Sequence, residues 1–175
     1  MFGFGAMELF LRRGKTAKSV SPTATDRGSS ALILSAYALA VLAISCHVLP
    51  SIELGRAVAW AGVAIGASGF FLRIWAMRVL GQFYTRRLVT TAEQRVVQEG
   101  PYRLVRHPGY LGSLLVWTGA AASSGNMLCL AAVAALLAVA YAYRIRTEER
   151  MLMVALGKAY EDYRQRSWRL FPFVF

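Results

Sequence analysis

The sequence predicts an all-α, multi-pass transmembrane protein of about four spans, the last two forming a C-terminal helical hairpin. Three observations lead there. First, 57% of the 175 residues are hydrophobic and only 17% are charged, against roughly 45–50% and about 25% in soluble domains. A chain this short has too much surface for its volume to hide that excess. Second, long stretches carry no charge: none falls between Arg27 and Glu53, or between Arg106 and Arg144 if His107 is neutral. Third, the 20 basic residues lie mostly outside the apolar runs.

The same numbers exclude whole classes. Disorder requires low hydrophobicity. A formal charge of +11 in a soluble chain would suggest nucleic acid; in this setting it reads as membrane orientation and attraction to anionic head groups, with no nucleic-acid partner. Cys46 and Cys129 lie in separate apolar runs with no CxxC or Cys/His cluster nearby, so neither a disulfide framework nor a metal site is expected.

Residues 1–30 combine an apolar patch (Phe2, Phe4, Met7, Leu9, Phe10, Leu11) with a basic, small-polar stretch behind it. That order is the reverse of a secretory signal and reads as an interfacial segment or tail. The remaining residues, 31–175, form the membrane domain. Residues 31–49 are long enough for a span, which needs about 20 residues, and Pro50 ends it. A second span is expected over 57–80, rich in Gly and Ala where helices pack closely in lipid, with Arg73 and Arg78 near its end, placed to snorkel. The polar stretch 81–109 is a loop punctuated by Gly100-Pro101. The next apolar run is too long for one helix and breaks at Ser123-Ser124-Gly125-Asn126, giving spans over 110–123 and 126–143. A charged C-terminal helix is expected over 144–168. Counting Lys and Arg on each side places both termini and the 81–109 loop in the cytoplasm, in the cell (inner) membrane if the source is prokaryotic. Both chemically rich segments then share a compartment.

Within the loop, Arg103, Arg106 and His107 precede Pro108, which favours the first position of a helix. Such a helix start presents free N–H groups and the positive dipole end to an anion. An ordinary basic loop with a proline start would look the same. On a helix Arg144 and Glu148 share a face; they could simply pair, or bind an anionic group and a polar ligand respectively. Leu152, Leu156, Tyr160 and Tyr163 recur at helical spacing and read as packing.

Taken in order, GPYRLVRHPGYLG, an apolar hairpin, RIRTEE and LGKAYEDYRQR resemble the isoprenylcysteine carboxyl methyltransferase family, and LRIWAMRVLGQFYTRRL at the end of the second span is similar to its bacterial members. The resemblance runs over roughly residues 70–168. It implies a multi-pass membrane enzyme using S-adenosyl-L-methionine without a Rossmann domain, and no Gly-rich strand–helix motif occurs here. It further implies cofactor contacts at Gln94, Arg95, Val96, Val97, Tyr102, His107, Pro108, Gly109, Tyr110 and Glu148. Arg144 matches the arginine that orients the substrate carboxylate, and no metal is implied. Position 109 is Gly where the family commonly has Ser or another small residue. The expected acceptor is an isoprenylcysteine carboxylate or a similar lipid-like acid. A phospholipid amine N-methyltransferase, a non-enzymatic lipid-binding protein and a sterol-reductase fragment are the alternatives.

Overall fold

A computed structural model describes residues 28–45, 50, 52–81 and 96–173. The N-terminal segment through residue 27, Cys46, Gln94 and Arg95 lie outside the described residues. Among the described residues the regular structure is helical: α1 (Ser29–Ser45), α2 (Arg56–Leu80), a 3-10 turn (Gly100–Arg103), α3 (Pro108–Ser123), α4 (Met127–Leu156) and α5 (Lys158–Gln165).

Helices α2 and α4 are long and apolar enough to cross a membrane, and α1 is a shorter apolar helix. The core helix of a soluble protein would be mostly buried. Here only 17% of the apolar window of α2 and 39% of that of α4 lie inside the protein. Trp60, Phe71, Leu34 and Val139 are each more than 60% exposed, as side chains facing acyl chains would be.

Helices α2 and α3 pack backbone against backbone. Gly62 and Gly69 of α2 meet Gly119 and Gly112 of α3, seven-residue spacings running antiparallel. Without side chains in the way, main chains approach closely, the usual solution where helices cannot rely on a hydrophobic drive. A Cβ on Gly119 would lie 2.5 Å from the Gly62 oxygen, whereas one on Gly66 would find its nearest neighbour at 3.7 Å. Gly119→Ala is therefore expected to destabilise the protein by about 2 kcal/mol or more by overpacking. Gly66→Ala is expected to be neutral or slightly favourable through helix propensity. Thermal unfolding in detergent measures both, and equal effects would refute the stripe as the α2–α3 seam.

Helix α1 seals the other side of α4. Ala36 and Ala40 pack with Val133, Leu137, Ala140 and Tyr141, the Tyr37 and Tyr141 hydroxyls are 2.7 Å apart, and Tyr37 stacks on Trp117 at 5.1 Å. Cys129, a free thiol, is buried in the same cluster, as a small hydrophobe. At the end of the bundle away from the loop, Asn126 caps α4 by accepting from the Leu128 and Cys129 N–H groups. Leu54 N–H donates to the Gly125 carbonyl at 2.7 Å and Met127 N–H to Ile52 at 2.9 Å, joining the α1–α2 and α3–α4 connections.

Two expectations need correcting. The helix does not restart at Arg144: α4 runs unbroken from Met127 to Leu156, because residues 144–156 are good helix formers with no Gly or Pro. The charge at Arg144 ends the apolar stretch but not the helix. The break comes at Gly157, at φ +53°, so the expected C-terminal helix 144–168 is the end of α4, the short α5 and an irregular stretch. Nor does Arg73 snorkel. It is buried and donates to the Gly109 carbonyl at 3.1 Å and to the Ser113 hydroxyl, because the glycine seam brings α3 within its reach. Arg78 is exposed, as expected.

Candidate active site

The site is built where the loop returns to the bundle. Gly100, at φ +54°, starts the 3-10 turn and buries Pro101 and Tyr102. The next residues run alongside the C-terminal segment, with a parallel bridge between Val105 and Trp168. Trp168 N–H donates to Leu104 (2.8 Å), Arg106 N–H to Trp168 (2.8 Å) and His107 N–H to Arg169 (3.2 Å). This short parallel pairing fixes the course of Arg106-His107 into α3, where Pro108 takes the first-turn position expected of it. Tyr163 secures the turn from α5 by donating to the Tyr102 carbonyl at 2.7 Å. Burial pushes the Tyr163 hydroxyl up to about 12, and burial followed by the Glu149 and Glu148 charges raises Tyr160 also. Both phenols are therefore neutral at physiological pH, and Tyr163 acts as the donor.

The two adjacent glutamates of α4 point different ways. Glu148, half-buried, accepts from the Tyr110 hydroxyl at 2.6 Å. The same hydroxyl accepts from Arg144 Nε at 3.0 Å. Arg144 and Glu148 thus meet through Tyr110, a third possibility beside the direct pair or the independent binding roles left open by their spacing. Arg144 is buried and its NH1 donates to Ser29 (2.7 Å) and Ser30 (2.9 Å) at the start of α1.

Glu149 faces the loop. Its Oε1 accepts from Arg106 Nε at 2.9 Å, and its Oε2 stands 3.0 Å from Arg169 NH2. Arg106 NH1 also donates to the carbonyls of Arg164 (3.0 Å) and Ser167. His107 Nε2 is buried 3.4 Å from Glu149 Oε1 without an aligned hydrogen bond. The His107 ring stacks on Tyr110 at 5.7 Å. One carboxylate therefore holds the loop, α4 and the C-terminal segment together.

Of the expected site residues, Tyr102, His107, Pro108, Gly109, Tyr110, Arg144 and Glu148 come together at this end of the bundle. Val96 and Val97 are half-buried on the approach to the turn. Ser29, Ser30 and Arg169 escaped the sequence reading, which singled out the Glu148-Glu149 pair without dividing the roles of its two members. The apolar–polar–apolar run Trp168-Arg169-Leu170 is too short to signal a strand, so the pairing that brings Arg169 in left no local mark. Nothing local marked Ser29 and Ser30. Among the described residues, no cluster of His, Cys, Asp and Glu could hold a metal ion.

Comparison with known proteins bears on this arrangement. The model of the isoprenylcysteine carboxyl methyltransferase (ICMT) family matches residues 62–154. A probable protein-S-isoprenylcysteine O-methyltransferase of Oryza sativa subsp. indica is 30% identical over 119 residues, 67% of this chain and 62% of that protein. This chain therefore spans less than two thirds of that relative's length. Methanethiol S-methyltransferase 2 of Bradyrhizobium diazoefficiens is 40% identical over 75 residues, 42% of this chain and 27% of its own. Among solved structures, the eukaryotic intramembrane Ras methyltransferase ICMT superposes with a TM-score of 0.64 at 23% identity, over 83% of this chain and 52% of that one, a likeness of fold.

Proposed function

The chain belongs to the isoprenylcysteine carboxyl methyltransferase family, and we propose that it is an integral membrane methyltransferase acting on a carboxylate with S-adenosyl-L-methionine as donor. The acceptor is an isoprenylcysteine carboxylate or a comparably apolar acid, and the site opens on the cytoplasmic side. Residues 31–175 constitute the methyltransferase domain, following the segment 1–30. The observation that carries this reading is the meeting of Arg144 and Glu148 on the Tyr110 hydroxyl, against the start of α3.

The residues present fit the donor. A Cβ on Gly109 would meet nothing within 4 Å, so there is room beside the first turn of α3, whose N–H groups and dipole suit a carboxylate. Half-exposed Glu148 suits an amino or hydroxyl group. The rings of His107 and Tyr110 stack between the two, and Val96 and Val97 offer backbone polar groups with apolar side chains for a heterocycle; Gln94 and Arg95 precede them in sequence.

When bound, S-adenosylmethionine supplies a methyl group activated by its positive sulfonium. An acceptor carboxylate is ionised at neutral pH, so no residue has to remove a proton. Arg144 is the group suited to hold that carboxylate: a planar, always-charged fork favours the geometry, and burial strengthens its pull by excluding water. Tyr110 links the Arg144 fork to Glu148, so the acceptor and donor ends are held in one frame. Rate enhancement then comes from alignment and desolvation rather than acid–base chemistry.

Calorimetric titration of detergent-purified protein tests the reading. Wild type is expected to bind S-adenosylmethionine at micromolar concentration. Glu148→Ala should weaken binding by about 10–100-fold, the worth of a hydrogen bond to a charged group. A folded wild type that does not bind overturns the proposal. The 40% identity to a methanethiol S-methyltransferase over 75 residues makes a small thiol the competing acceptor. Methyl transfer to methanethiol, or to phosphatidylethanolamine, but not to a farnesylcysteine carboxylate would replace the acceptor while keeping the donor.

A further inference from the structure

The face of α4 turned away from Arg144 and Glu148 carries a feature the methyl-transfer reading leaves unused. Arg146 and Arg150 of α4, Arg164 of α5 and Arg169 of the C-terminal segment line an open cleft of about 370 Å³. Arg169 is occupied, with NH2 on Glu149 at 3.0 Å, and Glu149, the acidic residue in the lining, is itself held by Arg106 as well. Among the described residues no acidic side chain pairs with Arg146, Arg150 or Arg164, and Arg164 Nε is buried without a hydrogen-bond partner. With Glu149 already taken by Arg106 and Arg169, like charges converge here, an arrangement that an added anion relieves.

Depth identifies the anion. The apolar part of α4 ends at Tyr143. At 1.5 Å of rise per residue, Arg146 and Arg150 stand about 3 and 9 Å beyond Arg144 along the helix axis. Arg146 then lies within the head-group layer, about 5–8 Å thick on each side of the hydrocarbon core, and Arg150 at its outer edge. Trp168, on the segment that carries Arg169, is 40% exposed, the amphipathic ring expected at the same level. We infer that this cleft is a binding site for the phosphate of an anionic phospholipid, held by the Arg146, Arg150 and Arg164 guanidinium groups. Arg suits phosphate through its bidentate fork. The site is separate from the donor-binding side of α4, and a lipid seated there would fix the rotation and depth of the helix that carries Arg144 and Glu148.

The inference rests on α4 crossing the bilayer, not on methyl transfer, so either reading can fail alone. The test is native mass spectrometry of the full chain in detergent, offered equal amounts of phosphatidylglycerol and phosphatidylcholine. Wild type is expected to retain phosphatidylglycerol with about tenfold preference, and the triple variant Arg146→Gln/Arg150→Gln/Arg164→Gln to lose that preference to within twofold. Arg78→Gln/Arg103→Gln, which removes exposed charge elsewhere, should leave it intact. If the triple variant does not fold, as judged by its thermal midpoint, Arg150→Gln alone is expected to reduce the preference about threefold. Undiminished preference in the cleft variants, or equal loss in the Arg78/Arg103 variant, would mean diffuse charge attraction and overturn the site. Displacement of the lipid by millimolar inorganic phosphate would overturn the lipid as its occupant.

Discussion

Alanine at Glu149 is expected to lower the stability of the protein by about 3–5 kcal/mol, the usual effect of removing one partner from a buried ion pair. The carboxylate is 93% buried at the side chain and takes Arg106 on one oxygen and Arg169 on the other. Without it, the Arg106 guanidinium keeps its carbonyl partners at Arg164 and Ser167 but loses its counter-charge in a dry site. The loop entering α3 and the segment after α5 then lose their common anchor on α4. Glu149→Gln retains shape and one acceptor and should cost less. Glu148→Ala should cost only about 1 kcal/mol, because Tyr110 keeps Arg144 as a partner and a lost hydrogen bond has roughly that net worth. Chemical denaturation in detergent compares the three. Equal destabilisation by the two alanines would refute the division between a holding glutamate and a binding one.

That division marks the limit of what the sequence discloses. Adjacent positions on a helix point about 100° apart, so the pair must face different surroundings, but which surroundings depends on what packs on each side. Glu149 is set by Arg106 and Arg169, 43 and 20 positions away in the chain. Arg144 is set by Ser29 and Ser30, more than 110 positions away. No local pattern encodes such distances.

Local chemistry was legible where it acts locally. Proline at the start of α3 and the polar break before α4 set the hairpin within a few residues of its observed ends, because Pro fixes φ and Asn126 caps. The end of α4 was misplaced because charge was taken as a stop; a charge halts the membrane crossing, while only a backbone preference such as that of Gly157 halts the helix. Arg73 was assigned to the interface for the same reason. Its burial follows from the glycine seam, whose spacing is plain in α2 and in α3 separately but whose register appears only when the two are paired. The stripe Leu152, Leu156, Tyr160 and Tyr163 does pack through its tyrosines, both buried, although the helix breaks in the middle of it.

Arg144→Lys is expected to reduce kcat/KM for a carboxylate acceptor by about 10²–10³-fold, the range seen when one charge-stabilising donor is removed from an active site. The change keeps the charge and removes the fork. A guanidinium can donate from Nε to Tyr110 while NH1 serves Ser29 and Ser30; a single ammonium group cannot span those directions and present a flat face to a carboxylate as well. Affinity for S-adenosylmethionine should fall less than tenfold, since His107, Gly109 and Glu148 are untouched. Removing the serines in Ser29→Ala/Ser30→Ala should lower turnover about tenfold with donor affinity unchanged, because the fork then loses its seat but not its charge. Single-turnover methyl transfer beside calorimetric donor binding separates these effects. If Arg144→Lys abolishes donor binding along with activity, Arg144 shapes the donor pocket and does not hold the acceptor. If the lysine variant turns over normally, a point charge suffices, and the contact between α1 and Arg144 serves only to close the bundle.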